Sequence, residues 1–262
     1  MREYRYIIGC LIVLLTCVLY ITGCKDEREN KQKILYEDIM ECRVLKRYDK
    51  EQRIAIPLIL NKKAKEINIT GVDGINVDIN GIIFEWGDEH EYDGVYCYTA
   101  FMTIPWSENI DKKGDVKIQS LNLNIDGDEF VYNPGIIELV DEIINNKDED
   151  LIFGGFGTGY PDIDKLDMSL YVENDIEITD IVTTLDFKLE NVSDYLKKYP
   201  GGTKVDFLVR LDGKDCKKLH YVWDVSIKYI CDGEERVYTF DIMSAQTSIS
   251  YRFEDYIKEH KR

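Results

Sequence analysis

The chain has 262 residues, with 33 basic and 50 acidic side chains and a net charge of −17 at neutral pH. Such an excess of carboxylates repels nucleic acid and anionic lipid headgroups, so neither is expected as a partner. The length suits one large or two ordinary domains with cores of useful size.

Taken in chain order, the first segment is an export signal. Arg2 and Arg5 give a basic start, and an apolar run follows from Tyr6 to about Tyr20, broken only by Gly9, Thr16 and two cysteines. That run falls short of the roughly 20 apolar residues of a spanning helix and has the layout of a cleavable signal. Ile21-Thr22-Gly23-Cys24 closes it. This tetrapeptide resembles the lipobox of bacterial prolipoproteins: an aliphatic residue, a small or β-branched one, Gly or Ala, then Cys. The resemblance covers the first 24 residues. It implies cleavage before Cys24, a diacylglycerol on its sulfur, and a position on the outer side of the cell membrane. Two acyl chains hold a protein on a bilayer where one is marginal.

Residues 24–40 read as a polar tether, helical in its second half. From Glu41 the pattern changes to short alternating or wholly apolar runs separated by turn residues, the signature of strands. Strands are expected at 42–48, 54–60, 66–70, 75–79, 82–86, 95–104, 116–125 and 129–132. Asp73-Gly74, Asn80-Gly81 and Asp126-Gly127 supply the positive φ angles of tight hairpins. Pro57 marks an edge or bulge. In Leu121-Asn122-Leu123-Asn124-Ile125 the apolar side chains share one face and the amides the other, which suits a sheet with one dry side.

Residues 133–146 read as a helix, with Asn133 as cap, Pro134 at the first position, and Ile136, Leu139, Val140, Ile143 and Ile144 at helical spacing. Charged Lys147-Asp148-Glu149-Asp150 and a glycine cluster through Gly159 then suggest a linker over 147–165. Strands resume at 167–173, 176–189, 204–211, 219–230, 236–242 and 247–253. Asp212-Gly213 and Asp232-Gly233 mark turns, Ser193 to Tyr199 one helical turn, and Phe253 to Arg262 a short amphipathic helix. The expected fold is therefore mainly β: two antiparallel β-sandwich modules, 41–146 and 166–262, immunoglobulin-like in architecture only, with one or two short helices.

Four cysteines lie beyond the signal and the anchor: Cys42, Cys97, Cys216 and Cys231. Cys216 and Cys231 bracket one expected strand, and about 3.3 Å per residue along it keeps them too far apart to bond. Cys42 and Cys97 lie on separate strands that are able to meet across a sheet; the alternative is two buried thiols.

Candidate sites are few. Asn76-Val77-Asp78-Ile79-Asn80-Gly81 imitates the start of a calcium loop, but the twelfth residue is Gly87 where a bidentate Glu is required, and the alternation of Ile75, Val77 and Ile79 reads as strand. The glycine run 155–159 has no following helix and no Lys, so it reads as linker rather than phosphate loop. Asp88-Glu89-His90-Glu91-Tyr92-Asp93 reads as an exposed acidic loop, with calcium as its less favoured use. There is no His-Glu-x-x-His, no paired-Cys zinc spacing and no Gly-x-Ser-x-Gly, so no catalytic residue, metal or cofactor is expected. Trp86, Tyr92, Tyr96, Tyr98 and Trp106 cluster around one hairpin. Core packing explains them first, and Trp86, Tyr92, Tyr96 and Trp106 are the candidates for stacking on a glycan or anchoring an envelope protein. The function expected is a membrane-anchored binding or structural module; an envelope hydrolase with dispersed residues is the alternative. A transporter's substrate-binding protein, normally two α/β lobes, fits less well because helical segments are few.

Overall fold

The computed structural model describes residues 31–46, 51–77, 81–105, 114–141, 151–158, 165–185, 189–211, 217–239 and 245–260. The expected signal and Cys24 lie outside them. Among the described residues no helix is long and apolar enough to cross a membrane.

The fold is mainly β. The first half contributes β1 (Met40–Leu45), β2 (Glu51–Leu60), β3 (Ile67–Ile75), β4 (Ile83–Tyr92), β5 (Val95–Pro105), β6 (Val116–Ile125), β7 (Asp128–Tyr132) and β8 (Gly135–Val140). The second contributes β9 (Leu151–Thr158), β10 (Lys165–Val172), β11 (Ile176–Thr183), β12 (Leu189–Glu190), β13 (Lys198–Tyr199), β14 (Thr203–Leu211), β15 (His220–Trp223), β16 (Val225–Cys231), β17 (Glu234–Thr239), β18 (Ala245–Gln246) and the helix α1 (Ile249–His260).

Three buried clusters explain the layering. The sheet β2-β5-β4 lies over a seven-stranded sheet ordered β18-β15-β1-β8-β6-β3, with β7 also paired to β6. Even-numbered residues of β2 (Ile54, Ile56, Leu58, Leu60) and β5 (Tyr98, Ala100, Met102, Ile104) point into that first core, where they meet Cys42, Val44, Ile137 and Leu139. Odd-numbered Ala55, Ile59, Val95 and Cys97 point outward and are covered by Ile249, Phe253, Tyr256 and Ile257 of α1. The period of two along a strand and of 3.6 along a helix thus build three layers from one alternating pattern. Each fully buried Leu or Ile contributes roughly 1.5–3 kcal/mol of transfer free energy. In the second half, β12-β14-β10-β9 and β13-β11-β16-β17 form two more sheets. Phe207, Leu170, Ile178 and Ile227 fill the space between them, joined by Tyr221 and Trp223 of β15.

Sandwich layering follows the expectation, and the interleaving adds to it. β15, from the second half, joins the large sheet beside β1, and α1 covers the first half's outer face. Residues 34–262 accordingly form one compact unit. Pairing is antiparallel except for β1, which runs parallel to both β8 and β15.

Several expectations need correction. The helix expected over 133–146 is instead β8, with residues 142–146 outside the described part. Ile137 and Leu139 are buried while Ile136 is 54% exposed, so the side chains alternate with period two. Helical spacing fitted the same residues, but parallel pairing with β1 decides the matter. The tether's expected helical half is extended, and Ile34 bridges Leu60 with the Leu35 N–H donating to the Ile59 carbonyl at 2.9 Å.

The linker expected over 147–165 contains a strand, β9, which pairs antiparallel with β10. The acidic stretch 88–93 is the end of β4 and a turn, because Asp93 (φ 52°) and Gly94 (φ 74°) close the hairpin to β5. Asp73-Gly74 is a register shift inside β3, not a turn; a Cβ at Gly74 would lie 2.0 Å from the Lys117 carbonyl oxygen. Asp126-Gly127 and Asp232-Gly233 are hairpin turns as expected, with positive φ throughout. The strand expected over 247–253 is instead two connecting residues, Thr247 and Ser248, and the first turn of α1. The helix itself begins at Ile249, ahead of Phe253, and the Glu254–Lys258 ion pair at 2.7 Å spans one of its turns.

Cys42, Cys97 and Cys231 are buried thiols, and Cys216 lies outside the described residues. Cys42 faces the first core and Cys97 the layer under α1, so the disulfide weighed for them does not form. Burial pushes the Cys97 thiol up to about 12. Burial, then the Asp224 charge, pushes Cys42 well above the ordinary thiol range. Both stay protonated and unreactive.

Candidate functional site

The hairpin β4–β5 carries most of the sequence's aromatic candidates, and a single bulge sorts them. Trp86 pairs with Ala100, but Glu89 pairs with Tyr98, so β4 has one extra residue between them. One inserted residue exchanges the two faces of a strand. Trp86 and Tyr92, six positions apart and otherwise on one face, therefore end on opposite faces. Trp86 and Tyr96 pack half-buried against the rim of the first core. Tyr92 packs against the layer under α1. Trp106 lies outside the described residues.

On the inner rim, Trp86 meets Tyr98 edge-on at 6.5 Å between ring centroids. The Ala64 N–H donates to the Tyr98 hydroxyl at 2.9 Å, and burial raises that phenol above its ordinary value. Lys63 and Glu89 make a 2.6 Å ion pair beside it. On the outer side, Tyr36 meets Tyr256 edge-on at 5.8 Å, His260 stacks on Tyr256 at 4.1 Å, and the Lys258 ammonium lies 5.6 Å from the Tyr92 ring. These are packing contacts that fasten α1 to its sheet. Of the three described candidates, Trp86 and Tyr96 pack on the inner face and Tyr92 on the outer one.

The bulge also depends on a glycine, since a Cβ at Gly87 would lie 2.3 Å from the Phe101 ring. Phe101 in turn carries the Arg53 guanidinium 4.0 Å from its ring centroid. Among the described residues no three His, Cys, Asp or Glu side chains are placed to hold a metal ion. The calcium-loop imitation is partly outside the described residues; its Asn76 donates through Nδ2 to the Asp115 carbonyl at 2.9 Å. The expected phosphate-loop imitation at 155–159 coincides, up to Thr158, with β9.

Among the buried polar residues, Asp224, Lys46 and His220 escaped sequence reasoning. Asp224 is 1% exposed and sits where the chain leaves β15 for β16. Its Oδ2 accepts the Leu45 N–H at 2.6 Å. Its own N–H donates to the Thr184 hydroxyl at 2.8 Å, and that hydroxyl donates to the Arg43 carbonyl. One residue thereby ties β1 to the start of the second sandwich. The sequence held a signal, an Asp inside the apolar run Tyr221-Val222-Trp223-Asp224-Val225. Asp224→Ala is expected to lower the unfolding free energy by about 1–3 kcal/mol, because the Leu45 N–H loses its acceptor in the interior; urea unfolding of the variant checks it.

Lys46 is the second. Its Nζ donates to the Gly114 carbonyl at 2.5 Å and lies 3.7 Å from the Asp141 carboxylate, which itself accepts the Gly114 N–H at 2.5 Å. The pair closes the end of the first core. His220 is the third, hydrogen-bonded at 3.2 Å between Nδ1 and the Thr247 hydroxyl; its Nε2 is buried with no hydrogen-bond partner.

No family model matches the chain, and no curated protein matches it. Among solved structures, one described as surface layer protein SbsC, domains 4–9, aligns at 10% identity and a TM-score of 0.22, covering 82% of this chain and 31% of that one. The chain thus spans about a third of that structure's length.

Proposed function

We propose that the chain is a lipid-anchored β-rich module displayed on the outer side of a bacterial membrane, where it binds a protein or peptide of the envelope. The observation that carries this reading is Ile21-Thr22-Gly23-Cys24 at the end of a basic-then-apolar start. The compact unit begins at Ile34. Cys24 to Lys33 spans at most about 35 Å when fully extended, at roughly 3.5 Å per residue. A lipid on Cys24 would therefore hold the sheets close to the bilayer, while the net charge of −17 disfavours their adsorption on anionic headgroups. A protein or peptide is favoured over a glycan because Trp86 and Tyr96 are packed against the rim of the first core and Tyr92 against the layer under α1, which leaves only part of each ring open for a sugar to stack on.

The test is metabolic labelling with radioactive palmitate in a bacterial host. The wild-type chain is expected to take up label and to fractionate with membranes. Cys24→Ser is expected to lose the label entirely and to retain the uncleaved signal. Equal labelling of both chains would overturn the anchor.

A further inference from the structure

Lys46 and Asp141 leave the ends of two neighbouring strands side by side. β1 and β8 run parallel with Leu45 opposite Val140, and the Lys46 N–H donates to the Val140 carbonyl at 3.0 Å. Each residue follows its strand by one position, so the two side chains meet where the pairing ends. They are 2% and 16% exposed, with Nζ 3.7 Å from Oδ2. Elsewhere among the described residues, lysines paired with carboxylates have side chains at least 25% exposed. The backbone of Gly114 grips both groups. Its carbonyl accepts from Lys46 Nζ at 2.5 Å, and its N–H donates to Asp141 Oδ2 at 2.5 Å. Its φ is +114°, a conformation that favours glycine. Asp115 Oδ1 accepts the Asp141 N–H at 3.0 Å, which puts a second carboxylate beside Asp141.

We propose that the Lys46 amine and the Asp141 carboxyl condense into an intramolecular isopeptide bond that fastens β1 to β8. The step needs no co-reactant. The ammonium first gives one proton to the carboxylate, leaving a neutral amine and a neutral acid. Nζ then attacks Cγ and a C–N bond forms. The C–Oδ1 bond breaks, and that oxygen leaves as water with the acid's proton and one from the amine. Oδ2, held by the Gly114 N–H, bears the negative charge of the tetrahedral intermediate and stays as the amide oxygen. Asp115 is placed to relay the amine's proton to the departing oxygen. In water, ionisation of the separate acid and amine opposes such a condensation. Burial removes much of that opposition, because the charged forms lose their hydration, and the paired strand ends supply the proximity. Lys63 and Glu89 approach more closely, at 2.6 Å, but their side chains are 65% and 31% exposed and stay solvated as an ordinary ion pair. The bond is independent of the anchor proposed at Cys24.

The test is a peptide map of the chain purified from a bacterial host, unfolded, reduced and digested with trypsin. Wild type is expected to yield a branched peptide joining residues 44–47 to residues 118–147, lighter by one water than its two parts, with cleavage after Lys46 lost in nearly every molecule. Lys46→Arg keeps the cation without a nucleophilic amine, and Asp141→Ala removes the carboxyl; neither is expected to give the branched peptide. The bond closes a ring that contains β2 to β8, so wild type is expected to run ahead of both variants in a denaturing gel. Cleavage after Lys46 together with an unaltered Asp141 peptide would show an ion pair only and overturn the proposal. So would a loss of water that maps to an Asp-Gly pair such as Asp126-Gly127, or one that persists in Lys46→Arg. The wild-type map decides the matter even where a variant fails to fold.

Discussion

Gly135→Ala is expected to destabilise the fold by about 3 kcal/mol or more. Two costs coincide at this residue. Its φ is +122°, a region that side chains rarely adopt, and such strain alone is worth about 1–3 kcal/mol. A Cβ here would also lie 2.1 Å from the Met40 carbonyl oxygen, which is backbone and has no flexible end to swing aside. Relief would require β8 to move away from β1, and these two strands pair along their whole length at the centre of the large sheet. The Asn133 side chain, which accepts the Gly135 N–H at 3.0 Å, would lose its geometry as well. Gly127→Ala is the matched comparison. Its φ is +94° but nothing lies within 4 Å of its Cβ position, so a loss of only about 1 kcal/mol is expected. Urea unfolding of both variants checks the difference, and near-equal midpoints would show that the Met40 contact relaxes freely.

The same glycine shows what the amino-acid pattern was able to say and where it stopped. Alternation and turn residues are local, and they located most strands and the hairpin turns at Asp126-Gly127 and Asp232-Gly233. Period two against period 3.6 is ambiguous over a stretch as short as Ile136 to Val140, where Ile-Ile-Glu-Leu-Val fits both. The deciding partner, β1, lies about ninety residues earlier, beyond the reach of any local window. Glycines at 154, 155 and 157 read as punctuation for a related reason. Gly weakens a strand without forbidding one, and pairing with β10 overrides the local preference.

The aromatic candidates were legible as a cluster but not as a surface. Their faces depend on the bulge between Trp86 and Glu89, and counting residues cannot place a bulge until the pairing of β4 with β5 is known. Buried polar groups were the least legible. Lys46, Asp224 and His220 look like ordinary surface residues one at a time, and only the distant carbonyls, hydroxyls and amides around them explain how they are tolerated inside. Asp224 was the most detectable, since a carboxylate within five residues of Tyr, Val, Trp and Val calls for a donor from elsewhere.

His220 makes acid the expected route of unfolding. It is 1% exposed, and burial, opposed by its bond to Thr247 and reinforced by the Arg252 charge, brings its pKa down from 6.5 to about 3. The folded chain therefore keeps the imidazole neutral across a range in which the unfolded chain protonates it. The stabilising contribution is complete above pH 6.5. It falls as pH drops from 6.5 towards 3, because the unfolded state takes up the proton and the folded state does not. The slope approaches about 1.4 kcal/mol per pH unit, so roughly 2 kcal/mol is expected to be lost between pH 6.5 and 5. Carboxylates elsewhere add their own dependence, so the informative quantity is the difference from a variant. In His220→Leu the Thr247 hydroxyl still accepts the Tyr221 N–H, a bond of 2.9 Å in the wild type. Leu occupies the same buried position without a titratable atom. The variant's stability is expected to fall more slowly over this range, so that the gap to wild type closes or reverses by pH 5. Parallel profiles for the two chains would show that the imidazole acquires its proton inside the fold, through an opening of the layer between α1 and β15.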